Sequence, residues 1–65
     1  MSRKSVAAAL AKTIAEDRRA AMDDAFANFR LNPNEANFLN AQEKARDFMS
    51  ARNIQHDIAE WEEDS

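Results

Sequence analysis

The sequence predicts an all-α fold, a two-helix antiparallel hairpin, and three observations carry that reading. No glycine and one proline occur in 65 residues, so regular helix meets a single chemical interruption, near mid-chain. Fourteen of the apolar residues are alanine, the strongest helix former. The proline lies in Leu31-Asn32-Pro33-Asn34-Glu35, a run of polar, proline and acidic residues of the kind that opens a helix. These features place the whole chain, 1–65, in one hairpin: a helix over about residues 5–30, a turn over 31–33 and a second helix over about 33–62.

The first helix rests on the unbroken stretch from Ser5 to Arg30, in which nine positions are alanine. At the turn, Asn32 is expected to cap the second helix, with Pro33 at its first position, where a missing N–H is harmless, and Glu35 completing a capping box. Beyond Pro33 nothing breaks the second helix, although Ser50 and Asn53 weaken its middle.

The apolar periodicity divides each helix in two. Phe38, Ala41, Ala45 and Phe48 follow one 3-4-3 spacing, and Ala51, Ile54, Ile58 and Trp61 another. The step between them is three residues where a continuous heptad needs four, so the two sets point roughly 140° apart. In the first helix Val6, Leu10 and Ile14 form one row, and Met22, Phe26 and Phe29 a second that is displaced around the axis. The turn-proximal sets are expected to close the hairpin on itself. The distal set, Val6, Leu10, Ile14, Ile54, Ile58 and Trp61, is expected to close only in part and to offer an interface to another chain. The alternative is that helix crossing absorbs the drift.

Composition excludes most chemistry. A chain of 65 residues is too short for a cleft lined from several loops, so no enzyme is expected. Without cysteine or glycine there are no disulfides, thiolate metal sites or phosphate-cradling loops. His56 is the only histidine, and Arg52 and Glu60 beside it supply neither a metal site nor a nucleophile. The carboxylates Glu60, Glu62, Glu63 and Asp64 lack the glycine bend of a calcium loop and read as a solvated helix end. No catalytic residue, metal or cofactor is therefore assigned. The net charge of -3, with Arg3, Lys4, Lys12, Arg18, Arg19 and Arg30 forming no single stripe, argues against nucleic acid as a partner. The longest apolar run, Val6 to Ala11, is far too short to span a membrane or to serve as a signal sequence. Cytoplasmic synthesis is expected, with any export following a route that needs no cleaved signal.

Two charge features stand apart. Arg18 falls inside the apolar arc of the first helix, where antiparallel pairing brings it near Glu43 and Asp47 as a register pin. Arg3 and Lys4 at a helix start, and Glu60 to Asp64 at a helix end, oppose their own helix dipoles, so they are expected to neutralise each other across the hairpin or to engage a neighbouring subunit.

Asn32-Pro33-Asn34-Glu35-Ala36-Asn37-Phe38-Leu39 resembles the turn of the needle subunits of bacterial type III secretion systems, which commonly runs proline, a polar residue, aspartate, proline, any residue and two leucines. The likeness extends upstream through Ala21-Met22-Asp23-Asp24-Ala25-Phe26-Ala27 and downstream to Ser50 and Asn53-Ile54, covering about residues 20–58. The resemblance implies a cysteine-free helical hairpin without a cleaved signal, held by small chaperones and packed helically into a hollow filament. The sequence departs from that pattern at Ala36, where the family has its second proline, and at its acidic C-terminus, where the family is apolar. Leu31 to Ala36 is also similar to the junction between tetratricopeptide repeats, but the helices are about twice too long for that repeat.

The expected function is non-enzymatic: an amphipathic hairpin that self-assembles as a dimeric four-helix bundle or a needle-type filament subunit. The alternative is a small adaptor, chaperone or phage-encoded inhibitor that lays one helical face on a larger protein.

Overall fold

A computed structural model describes residues 2–62 and shows two helices, α1 (Arg3–Leu31) and α2 (Glu35–Ala59), packed against each other as an antiparallel hairpin. There is no strand among the described residues. The fold is therefore the predicted all-α hairpin, with corrected ends.

α1 begins two residues earlier than expected because Ser2 caps it, its hydroxyl oxygen accepting from the Ser5 N–H at 3.1 Å. It ends where Asn32 leaves helical geometry (φ -135°, ψ 84°), as a residue preceding proline must. The Asn32 N–H still donates to the Asn28 carbonyl at 2.9 Å. That role overturns the expected cap. Asn32 terminates α1, and Asn34 caps α2, its side-chain oxygen accepting from the Asn37 N–H at 2.8 Å. Pro33 thus stands before the helix and Glu35 is its first residue, not its third. A three-residue link is needed because one asparagine cannot both end one helix and open the next.

α2 stops at Ala59, short of the expected 62, and Trp61 lies beyond it, its N–H bonded to the Ile58 carbonyl at 3.1 Å. Glu63 and Asp64, the end of the predicted acidic cluster, fall outside the described residues.

The seam between the helices is made of small side chains. Ala11, Ala15 and Ala25 of α1 and Ala41, Ala51 and Ile58 of α2 are the buried residues. Such contacts let helix axes approach toward the short end of the usual range, about 8 Å. On α2 the seam keeps one unbroken heptad register, 41, 44, 48, 51, 55 and 58, with Lys44, Phe48 and Gln55 half-buried between the sealed positions. The apolar stripe shifts face, but the seam does not.

Candidate interaction surfaces

What the alanine seam leaves outside is a set of large apolar side chains on its two flanks. The flanks are defined by grooves that cross the seam at the same level. Ile14, Arg18, Asp47, Ser50 and Ile54 line one, called here the front. Lys12, Glu16, Arg19, Phe48 and Arg52 line the other, the back.

Helical spacing extends each flank along the rod. The Val6, Leu10 and Ile14 row carries the front to the open end, where Val6 and Leu10 meet Trp61 across a cleft of about 380 Å³. All four are exposed, Leu10 most, at 61%, and Ile54 beside Ile14 is exposed too. On the back, Lys12, Glu16, Arg19, Asp23, Phe26 and Arg30 follow one 3/4 row toward the turn. There Phe26, Phe29, Phe38 and Ala45 enclose an apolar cleft of about 440 Å³. The Phe29 and Phe38 rings tilt against each other with centroids 5.8 Å apart. The protein thus carries two apolar patches, at opposite ends and on opposite faces.

Five of the six residues expected at an interface, Val6, Leu10, Ile14, Ile54 and Trp61, lie on the front patch. Ile58 does not: it is buried in the hairpin's own seam and is corrected to a core residue. Its register position, seven after Ala51, puts it on the seam line while Ile54 and Trp61 turn outward. The turn-proximal sets close the hairpin only in part. Ala25 and Ala41 are buried, but Phe26 and Phe38 remain exposed, so the back patch near the turn went unassigned in the sequence.

Arg18 reaches across to Asp47 at 3.5 Å, while Glu43 makes no ion pair among the described residues. The side chains of that pair are 50% and 40% exposed, so solvent screens it and its contribution is a fraction of a kcal/mol to about 1. His56 lies 3.2 Å from Glu60, both exposed. Arg52 sits 5.8 Å over the Phe48 ring, which its guanidinium partly covers. Arg3 and Lys4 form no ion pair with Glu60 or Glu62. Among the described residues no group of three His, Cys, Asp or Glu side chains is placed to hold a metal ion, and no helix is long and apolar enough to cross a membrane.

The chain matches no protein-family model, no curated protein and no solved structure.

Proposed function

We propose that this protein is a non-enzymatic interaction protein, a helical hairpin that self-assembles through the apolar surface its own seam leaves uncovered. One observation carries the reading. The chain exposes 5215 Å² of surface at a mass of 7.4 kDa. A compact protein of that mass would expose about 4,200 Å². The excess, roughly 1,000 Å², is on the order of what one partner contributes to a standard protein interface, about 800 Å². Ten large apolar residues are 41–77% exposed, and burying what remains of each would contribute roughly half of the 1.5–3 kcal/mol or so that full burial is worth.

Assembly as a four-helix dimer or as a filament would satisfy this surface, and the likeness of residues 20–58 to needle subunits supports the filament. Sedimentation equilibrium over a concentration series tests the reading. Self-assembly predicts a mass above 7.4 kDa that rises with concentration. A monomer at every concentration would overturn it and leave the adaptor, chaperone or inhibitor reading, in which a larger protein covers the same patches.

A further inference from the structure

Resting on that reading, we propose that the second copy docks front to back and reversed end for end, giving an open stack and not a closed dimer. The front face is mainly apolar at its open end, where Arg3 borders Val6, Leu10 and Trp61. Toward the turn it carries Asp17, Asp24, Glu43 and Asp47 against Arg18 alone. The back face is the inverse. It is aromatic near the turn, at Phe26 and Phe38, where Asp23 and Arg30 offset each other in charge, and basic toward the open end, at Lys12, Arg19 and Arg52 against Glu16.

Reversal brings these quadrants into register together. At about 1.5 Å per residue, Leu10 stands about 35 Å from the turn and Phe26 about 10 Å. An antiparallel neighbour lays each α1 over the other copy's α2, and one that brings Leu10 to the level of Phe26 and Phe38 also brings Lys12, Arg19 and Arg52, about 20–30 Å from its turn, to the level of Asp17, Asp24, Glu43 and Asp47, about 15–25 Å from theirs. Apolar surface meets apolar surface, and acid meets base.

Symmetric pairing fails this matching. Front on front with full overlap and reversed ends puts the apolar end on the acidic half, and unreversed ends put acid on acid. With reversed ends, only a slide to half overlap joins the two front patches. The Cα atoms span 51 × 15 × 11 Å, so the broad face measures about 770 Å², close to the 800 Å² or so of a standard interface side. Half overlap would bury in total about that same area, below the roughly 1,000 Å² that a stable interface needs. A front-to-back contact also leaves a free front on one copy and a free back on the other, so growth continues.

The test uses Leu10→Glu, which blocks the front, and Phe38→Glu, which blocks the back; both sites are exposed, and circular dichroism verifies that each variant keeps its helices. In sedimentation velocity the wild type should grow without a plateau. Each variant alone should remain monomeric at tenfold the concentration at which wild-type mass has doubled. Their equimolar mixture should stop at twice the monomer mass, joined through the one intact face of each. A wild type that plateaus as a dimer, with Phe38→Glu still dimeric on its own, overturns the stack but keeps self-assembly. A wild type that stays monomeric overturns both.

Discussion

Asn34 and Asn37 hold the chain reversal, each through its side-chain amide. Asn34 satisfies the Asn37 N–H, and the Asn37 amide in turn donates to the carbonyl of Asn32 at 2.9 Å and reaches that of Asn28 at 3.5 Å. The first turn of α2 is thereby tied to the last turn of α1, adding a second donor to carbonyls that already accept from the Asn32 and Asn34 N–H groups. Replacing Asn34 with Ala should therefore destabilise the protein by about 1 kcal/mol in urea denaturation. Asn32→Ala should cost only a few tenths, because Asn32 acts through its backbone and not as a helix cap. Equal losses at the two sites would show that the cap has been misplaced. The presence of a turn was legible in the sequence, but its register was not. Asn32 and Asn34 are both good caps, and only the need to finish α1 before starting α2 decides between them. Arg18 was legible as a cross-hairpin partner from its place in an apolar arc. Its pairing with Asp47 is exposed, so Arg18→Ala should lower stability by no more than about 1 kcal/mol, and by less in high salt.

At the level of the elements, stability resides in the contact between two alanine-lined faces. Ala41 is 1% exposed and has no room for a larger side chain. Ala41→Leu should overpack the seam and destabilise by about 1–3 kcal/mol with helicity little changed, whereas Leu39→Ala, on the exposed face, should stay within about 0.5 kcal/mol. Thermal melts followed by circular dichroism distinguish the two; equal tolerance would mean that the seam is loosely packed. This arrangement explains why helices could be read from the sequence and the seam could not. Uninterrupted alanine-rich stretches specify helix whatever the helices pack against. Periodicity is read from the largest apolar residues, and here those sit on the flanks while small residues take the sealed positions. Ile58 is the exception: a large residue at a buried seam position, although its spacing also places it in a row with Ile54 and Trp61.

The whole molecule is a rod. Its radius of gyration is 15.1 Å, against about 11 Å for a compact chain of this length. Two helices form one contact layer and leave every outward face in water; in the proposed assembly a second copy supplies the next layer. Trp61 reports on that step. It follows the end of α2, faces Val6 and Leu10 across the front cleft, and is 49% exposed in the single chain. Its emission in the dilute protein should lie between the fully shielded and fully hydrated positions. As concentration rises, a neighbour's turn-proximal aromatics should cover the indole and shift the emission to shorter wavelength in step with the sedimenting mass. Phe38→Glu leaves Trp61 and its cleft unchanged, so its emission at low concentration should match the wild type. The concentration-dependent shift should nevertheless disappear, because the surface that covers the indole belongs to the next copy. Salt should reduce the shift in the wild type by screening the acid-on-base contacts that set the register. An emission that stays constant while the mass rises would place the contact away from the open end, on the back patch near Phe26 and Phe38 alone.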